Sequence, residues 1–446
     1  MGEQHPGGRI RRELGALSAT SIVVANIIGA GIFTTTGIIA GFLPGPGWVL
    51  GCWVLGGLIA MSGALCYAEL ATRMPEEGGE YLYLSRLYHP MLGFLTGWTS
   101  FFVGFSAPIA ASAIGFSEYL FPSFDGPPAG LDPALVRKGV AAAVIASFTV
   151  LHWLGLRTGS RVQNVLTAVK VIIVVGIATA GLAGIGSGAP GDVLGAGNGG
   201  TGAMAFGTAM MLVMFSYSGW NASAYIAGEL KRPRRTIPVS LVAGTAVVII
   251  LYLALNVFVL RALPYGEVTG TIAIVEKASV AAFGPWMGRA LGIMIAVALL
   301  SSLSAFIIIG PRVYYAMARD RLFFPFAARV HPQRGVPGRS ILLQGGAAVL
   351  MVLAGSFEQL LVYLGFALNI FPWLAVAGIF IARRRGIGDG AEAETPLFPA
   401  TPLFFLAVTL GLMVVAFINR PAESSAALAT VIAGIPLYFL WKRATR

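Results

Sequence analysis

Two hydrophobic stretches of this chain are interrupted by glycine and small residues, where backbone that leaves a helix can bind a ligand. The first break is Asn26-Ile27-Ile28-Gly29-Ala30-Gly31-Ile32-Phe33, and the second is Phe215-Ser216-Tyr217-Ser218-Gly219-Trp220-Asn221. Inside a bilayer, such backbone is unfavourable unless its polar groups face protein, water or a ligand. Interrupted spans at corresponding positions of two halves are typical of the substrate site of a transporter. The pair therefore predicts one site between the two breaks.

The two breaks differ in the backbone groups that they would offer. Residues 29–31 would present N–H groups at the start of a helix, where the partial positive charge of the helix suits a carboxylate. Ser218-Gly219, two poor helix formers, would free carbonyls near Phe215 and Ser216 that are suitable acceptors for an ammonium group. Donors at one break and acceptors at the other suit a zwitterion.

Each break also has a simpler interpretation. The small residues 29–31 could merely allow two helices to approach closely, and Phe215, Tyr217 and Trp220 could be packing or lipid-facing aromatic residues. The occurrence of the breaks in the first and sixth hydrophobic segments favours the binding site over these alternatives.

Lys170 is a basic residue inside a hydrophobic segment, where its ammonium group needs partners. It lies about nine residues into the fifth segment, and an ammonium at the bilayer centre costs about 2.5–3.5 kcal/mol on insertion scales. From this depth the side chain would reach the interface poorly, so we expect it to point inward to carbonyls or hydroxyls. Ser301, Ser302 and Ser304 of the eighth segment could supply hydroxyls, although each could instead bond the carbonyl four residues back.

The elements that position these residues are predicted to be membrane-spanning helices. The chain has 446 residues, of which 57% are hydrophobic and only 11% charged, and its mean hydropathy is +0.80. Soluble domains carry about 25% charged residues, and a span needs roughly 20 apolar residues. We therefore predict an all-α integral membrane protein with about twelve transmembrane helices, at residues 14–40, 46–70, 91–121, 136–155, 161–184, 203–227, 237–261, 286–315, 340–355, 358–382, 402–419 and 425–441.

The interrupted segments divide this predicted bundle into two halves. We expect a single transporter domain, residues 1–446, built as a five-plus-five inverted repeat with discontinuous helices 1 and 6. Residues 14–184 would form the first repeat and residues 203–382 the second. Residues 402–441 would hold helices 11 and 12, and the stretch 268–285 predicts a short outer helix over the bundle.

Positive charge is distributed unevenly between the two sides of the predicted bundle. The net charge is +11, but most Lys and Arg residues fall in alternate loops, which the positive-inside rule assigns to the cytoplasm. We therefore expect a multi-pass protein of the cell (inner) membrane with both termini cytoplasmic, in contact with the lipid bilayer and with no nucleic-acid partner. Glu69 and Glu229, near the inner ends of spans, are expected to be solvated.

Cysteine and histidine usage argues against several kinds of site. The only cysteines, Cys52 and Cys66, lie within the second segment, so a disulfide-linked heavy subunit is not expected. The four histidines have no metal-ligand spacing. The sequence has no nucleophile–base pair, acidic cluster or phosphate loop. We expect no metal, no cofactor and no enzymatic activity.

Four stretches of the chain form a combination that is more specific than any one of them. They are Ile28-Gly29-Ala30-Gly31-Ile32-Phe33; Pro75-Glu76-Glu77-Gly78-Gly79-Glu80-Tyr81 with Gly93-Phe94 and Gly97-Trp98; Arg161-Val162-Gln163-Asn164 ahead of Lys170; and Tyr217-Ser218-Gly219-Trp220-Asn221 leading to Glu229-Leu230-Lys231-Arg232-Pro233 and Ile237-Pro238. Between about residues 14 and 340, the chain resembles the amino acid–polyamine–organocation (APC) superfamily. Within it, the chain looks most like the L-type amino-acid transporters and their bacterial exchanger relatives.

The resemblance implies a central amino-acid site and assigns residues to it. The residues assigned to the substrate carboxylate are Gly29, Ala30 and Gly31. The residues assigned to the amino group, mainly through backbone, are Ile27, Phe215 and Ser218. The residues assigned to lining or gating the pocket are Trp220 and Asn221.

The resemblance also implies how the site is coupled to ions. Lys170 matches a family lysine that occupies the place of a sodium ion in sodium-coupled relatives, and it would bridge toward Ser301 and Ser302. Sodium coupling is therefore disfavoured. The chain has Ala30 where L-type members often have serine, and Ser218 where they often have glycine, so one hydroxyl contact is lost and the pocket is narrowed.

The sequence predicts a sodium-independent secondary transporter of neutral, small to medium amino acids that works by alternating access as an exchanger. Neutral substrates are expected because no acidic residue lies at mid-span to pair with a cationic side chain. A proton-coupled symporter is the alternative, and the residues leave the two open. A membrane-embedded enzyme would need clustered acids or histidines. A passive channel would not need interrupted helices around an occluded site.

Overall fold

A computed structural model of the chain describes residues 15–76, 78–124, 130–154, 156–183, 202–225, 227, 230–319, 322–328 and 337–444. Within these ranges the protein is helical and contains no β-strand. The α-helices are α1 Ala16–Ile27, α2 Ala30–Ala40, α3 Pro46–Arg73, α4 Glu80–Leu87, α5 Pro90–Thr99, α6 Ala107–Leu120, α7 Pro133–Leu154, α8 Leu156–Leu182, α9 Ala203–Tyr217, α10 Ala222–Tyr225, α11 Pro233–Ala262, α12 Tyr265–Val268, α13 Ile274–Phe283, α14 Pro285–Arg319, α15 Gly338–Ala354, α16 Phe357–Arg384, α17 Ala400–Asn419 and α18 Pro421–Ala444.

Short helical pieces complete these elements. A π-helix, Ser100–Ser106, joins α5 to α6, and 3₁₀ turns occur at Pro122–Phe124 and Pro325–Ala328. The basic leader before Gly15 lies outside the described residues, and so does Glu229.

The apolar helices follow the predicted segments closely. In the described part of the chain, nine helices or helix pairs are long and apolar enough to cross a membrane, and three shorter apolar helices lie at Val165–Ala180, Ala203–Tyr217 and Gly338–Ala354. Each falls on one of the predicted hydrophobic segments, so the prediction of an all-α membrane protein is confirmed. The stretch Ala203–Tyr217 is short because it ends at the second break.

Two long helices organise the interior. α11 packs along α3, α1 and α8, while α14 packs along α6, α8 and α13. α1, α2 and α9, which carry the breaks, lie among these helices, and their residues at the breaks are largely buried. A broken helix is tolerated here because protein, not lipid, surrounds its free backbone groups.

Glu69 lies at one end of the bundle and is buried, not solvated as the sequence predicts. Its carboxylate accepts hydrogen bonds from Arg383 through both oxygens at 2.8 Å, from Arg73 Nε at 2.8 Å and from the Thr395 backbone N–H at 2.8 Å. Burial of an unpaired carboxylate would be strongly unfavourable, and the guanidinium groups of two arginines offset that cost here. The cluster fastens α3 to α16 and to the connection after α16.

Glu276 lies at the opposite end, on α13, within the stretch 268–285 that predicts a short helix. Its Oε1 accepts a hydrogen bond from Ser123 Oγ at 3.3 Å, and its Oε2 has no hydrogen-bond partner among the described residues. Burial raises the pKa of Glu276 from its ordinary value of 4.5 to about 7, against the weaker opposing effects of Ser123 and Arg289. The folded protein therefore binds this proton more tightly than the unfolded chain does.

We predict that Glu276→Gln removes a pH-dependent part of the stability. Because the folded pKa is raised, the contribution of Glu276 is fully present below about pH 4.5 and is lost as the pH rises through about 7, at up to roughly 1.4 kcal/mol per pH unit. In thermal melts of the purified protein, Glu276→Gln should gain stability relative to the parent between pH 5 and pH 8. The matched control is Glu267→Gln, an exposed carboxylate in α12. A stability difference for Glu276→Gln that is the same at both pH values would contradict the prediction.

Candidate functional site

The two helix breaks meet in space. Gly219, in the second break, has a φ of +95°, and a Cβ added there would lie 3.0 Å from the Asn26 carbonyl oxygen. A Cβ added to Gly31, in the first break, would lie 2.6 Å from Ser216 Cα. Both glycines are therefore required by close backbone approach, and Gly219 is also required by its left-handed conformation. The sequence predicts one shared site, and the structure brings its two halves into contact.

The first break exposes the start of α2. Gly29 is extended, with φ −117° and ψ −157°, and α2 begins at Ala30. The N–H groups of Ala30 and Gly31 lie in the first turn of α2, so no carbonyl of the same helix lies one turn back to accept from them. Among the described residues, no other group accepts a hydrogen bond from them. These two amides are donors at the positive end of a helix, as the sequence predicts.

A hydroxyl from α11 joins the two breaks and was not identified from the sequence. Tyr252 Oη lies 2.8 Å from the Ile27 carbonyl oxygen and 3.1 Å from the Ser216 carbonyl oxygen, so both carbonyls share its single proton. The Gly29 amide lies beside the same hydroxyl. Ile27 and Ser216, expected to offer carbonyls to a ligand, thus already have one partner each. A tyrosine in the middle of the hydrophobic run of α11 is the only signal that could have identified it.

Lys170 reaches the first break from α8. Its Nζ donates hydrogen bonds to the Ala25 carbonyl at 3.0 Å, to the Ile28 carbonyl at 2.9 Å and to Ser302 Oγ of α14 at 3.3 Å. The side chain is only 2% exposed. The ammonium therefore satisfies the carbonyls that α1 leaves without partners at its end. Ser301 is not part of this contact, since its hydroxyl pairs with Thr167 at 3.1 Å.

The second break continues into a group of aromatic and polar side chains. Phe215 is 6% exposed and Trp220 is 5% exposed. The Trp220 ring packs edge-on against Tyr67, with ring centroids 4.8 Å apart, and against Phe405 at 6.1 Å. The Asn221 amide does not point toward the first break; its Nδ2 donates to Glu80 Oε1 at 2.7 Å.

Hydroxyl groups also connect α2 to α9 across the breaks. Thr35 Oγ1 lies 3.0 Å from Ser216 Oγ, and one of the two hydroxyls donates to the other. The accepting hydroxyl keeps its own proton for a carbonyl one turn back, that of Gly31 at 2.7 Å from Thr35 Oγ1 or that of Leu212 at 3.0 Å from Ser216 Oγ. These bonds fix the position of α2 relative to α9 beside the unpaired amides of Ala30 and Gly31. The arrangement places helix-end donors on one side of the contact and shared carbonyls on the other.

Comparison with known protein families agrees with this arrangement over nearly the whole chain. The sequence model described as amino acid permease matches residues 14–439. The chain belongs to the amino acid permease family. It is therefore a multi-pass membrane transporter and not an enzyme.

Individual transport proteins are similar to the chain over nearly its full length. The serine/threonine exchanger SteT of Bacillus subtilis is 29% identical over 97% of this chain and 98% of its own length. The b(0,+)-type amino acid transporter 1 of Mus musculus is 29% identical over 97% of this chain and 88% of its own length. The Asc-type amino acid transporter 1 of Mus musculus is 25% identical over 97% of this chain and 81% of its own length.

We predict that Gly31→Ala impairs transport by this permease strongly. Its Cβ would collide with the Ser216 backbone, which cannot move without displacing the second break. Overpacking of this kind costs about 1–3 kcal/mol, equivalent to a roughly five- to 150-fold effect on an equilibrium. Amino-acid uptake into liposomes that contain the purified protein should fall by about that factor.

Gly51→Ala is the matched control for this substitution. It adds the same methyl group within α3, where no atom lies within 4 Å of the added Cβ. Its uptake should stay within about twofold of the parent, since alanine favours a helix over glycine. Equal uptake by Gly31→Ala and the parent would show that the breaks are not in close contact during transport.

Proposed function

We propose that the protein is a sodium-independent exchanger of neutral, small to medium amino acids that works by alternating access. The contact between the two breaks carries this proposal, because it joins unpaired helix-end amides to shared carbonyls within one buried site. A free amino acid has the complementary groups, a carboxylate and an ammonium. The relatives, which include a serine/threonine exchanger, support the same class of substrate.

The residues assigned by resemblance have distinct roles in this proposal. The carboxylate of the substrate would be held by the amides of residues 29–31. Its amino group would meet the carbonyls of Ile27 and Phe215, beside Ser218. Trp220 would cover the site, while Asn221 would act through its bond to Glu80 and not by touching the substrate.

The position of Lys170 supports sodium independence. Its ammonium is bonded to two backbone carbonyls of α1 and to Ser302 of α14, which are oxygen ligands of the kind that a sodium ion would need. In this proposal, the Lys170 ammonium takes the place beside these oxygen atoms that a transported sodium ion would otherwise occupy.

The surroundings of the breaks support neutral substrates. The side chains at the two breaks that face the shared site, such as Ala30, Phe215 and Ser218, are uncharged. A cationic side chain of a substrate would lose its hydration without gaining an acidic partner, which is costly in a buried site.

The topology is part of the same proposal. Residues 14–184 and 203–382 would form two inverted repeats around the breaks, with residues 402–441 as helices 11 and 12. Basic residues at the ends of spans, among them Arg73, Arg383 and Lys442, would lie in the cytoplasm of the cell together with both termini. Cys52 and Cys66 are buried in α3, which supports the absence of a disulfide-linked heavy subunit.

The decisive experiment is uptake of radiolabelled serine into liposomes that contain the purified protein. Exchange predicts that uptake is fast when the liposomes hold unlabelled serine and slow when they are empty. It also predicts equal rates in sodium and potassium buffers. Uptake into empty liposomes that requires an inward proton gradient would replace exchange by proton symport. No saturable flux of any amino acid under these conditions would overturn the transporter proposal.

We predict that Lys170→Ala lowers exchange by about tenfold or more. Removal of the ammonium leaves the Ala25 and Ile28 carbonyls without their partner, and an unsatisfied buried acceptor costs about 1–3 kcal/mol. The matched control is Lys138→Ala, since Lys138 Nζ also donates to a backbone carbonyl, that of Leu353, but at an exposed site. The role given to Lys170 is wrong if its alanine variant exchanges serine at the parent rate with the parent pH dependence.

A further inference from the structure

We propose that Glu80 is a positioning residue of the transport cycle: its carboxylate holds Asn221 of the second break against Tyr67 of α3, and this bond must be released when the site opens past Trp220. The inference rests on the proposed transport function and adds to it a residue that does not touch the substrate. Glu80 lies at the same end of α3 as Arg73, which the proposed topology assigns to the cytoplasmic side. The bond would therefore belong to the inner gate.

Two neutral donors share one oxygen of Glu80. Tyr67 Oη donates to Glu80 Oε1 at 2.6 Å, and Asn221 Nδ2 donates to the same oxygen at 2.7 Å. Asn221 Nδ2 also lies 3.2 Å from Tyr225 Oη. The carboxylate is only 5% exposed. It thus connects three separate parts of the chain: α3, the start of α4 and the segment between α9 and α10.

The turn before Glu80 has a backbone conformation that requires glycine. Gly78 and Gly79 have φ values of +115° and +49°, and α4 begins directly after them at Glu80. A Cβ added to Gly79 would lie 2.6 Å from the Tyr225 ring, so this turn packs directly against α10. The turn and the Glu80 bond therefore fasten the same side of the second break.

Trp220 connects the Glu80 bond to the proposed substrate site, because its ring packs against the same part of α3. Its ring contacts Tyr67 edge-on, and a Cβ added to Gly63 of α3 would lie 2.8 Å from that ring. The absence of a side chain at Gly63 thus makes room for the Trp220 ring on α3, beside Tyr67, whose hydroxyl donates to Glu80. Asn221 is the next residue, so the segment cannot leave α3 without breaking either the bond from Asn221 to Glu80 or the bond from Tyr67 to Glu80.

The contrast with Glu69 argues that the bond is built to be released. Both carboxylates are buried near the same end of α3, but Glu69 is paired with two arginines whereas the donors to Glu80 are neutral. Burial without a cation raises the pKa of Glu80 above its ordinary range. An ion pair such as that of Glu69 is costly to separate, whereas hydrogen bonds from neutral donors exchange more readily for water during opening.

The test is exchange kinetics of three variants in liposomes. Glu80→Ala should lower the maximal exchange rate by about tenfold or more while the KM for serine changes by less than about threefold, because the substrate itself loses no contact. Glu80→Gln should restore most of the rate, since its carbonyl oxygen can accept both hydrogen bonds. Tyr67→Phe should lower the rate in the same direction as Glu80→Ala, since it removes the donor that ties Glu80 to α3.

Tyr83→Phe is the matched control. Tyr83 is buried in α4 with its ring 5.9 Å from that of Tyr67, and among the described residues its hydroxyl has no hydrogen-bond partner. This variant should exchange at the parent rate. Tyr67→Phe and Glu80→Gln keep the test decisive even if Glu80→Ala does not fold.

Three outcomes would overturn the inference. They are a parent-like maximal rate in both Glu80→Ala and Tyr67→Phe, a rise in KM with an unchanged maximal rate, and an equal loss in Tyr83→Phe. If the unmodified protein moves no amino acid at all, the transport proposal itself fails. If the unmodified protein exchanges serine and the Glu80 and Tyr67 variants match it, only the role of Glu80 fails.

Discussion

Backbone polar groups that leave a helix inside the membrane need partners, and this constraint determines the centre of the structure. α1 ends at Ile27 and α9 ends at Tyr217, so carbonyls at both ends lose their helical donors. The protein supplies new donors from two other helices, the Tyr252 hydroxyl of α11 and the Lys170 ammonium of α8. Because these donors are buried and fixed, they hold the breaks in a defined shape.

The partners are distributed unevenly between the two kinds of backbone group. Carbonyls at the breaks have protein donors, whereas the amides of Ala30 and Gly31 have no acceptor in the described part of the chain. An acceptor-rich ligand group therefore gains more at this site than a donor does. In the proposed transporter, the substrate carboxylate would be the main anchor, and the amino group would share carbonyls that are already bonded.

Much of the fold could be predicted from the sequence because its signals are local. Apolar runs locate the helices, and Gly29, Gly31 and Gly219 mark the breaks. Lys170 is conspicuous as a charge within an apolar run. The bonding partners were harder to predict, because they join residues far apart in the chain: Tyr252 lies 225 positions from Ile27, and Glu80 lies 141 positions from Asn221.

Glu69 shows why local reasoning fails at the helix ends. Its position near the end of α3 predicts solvation, yet Arg383 of α16, 314 positions away, and Thr395 cover its carboxylate. An acidic residue at the end of a span can thus be either a solvated side chain or a buried anchor, and only its distant partners decide which.

The different bonding of Glu69 and Glu80, near the same end of α3, has a mechanical consequence for alternating access. A ligand shifts a conformational equilibrium only by binding the two states differently, so the bonds that change between states must be weak enough for a small molecule to compensate. The arginine-paired anchor at Glu69 is too costly to separate in each cycle, so α3, α16 and the connection after α16 should move as one unit. The bonds that Glu80 accepts from the neutral donors Tyr67 and Asn221 are weaker and within the range that one amino acid can offset. In the proposed cycle, the movable boundary would therefore lie between α3 and the segment after α9, which contains Trp220.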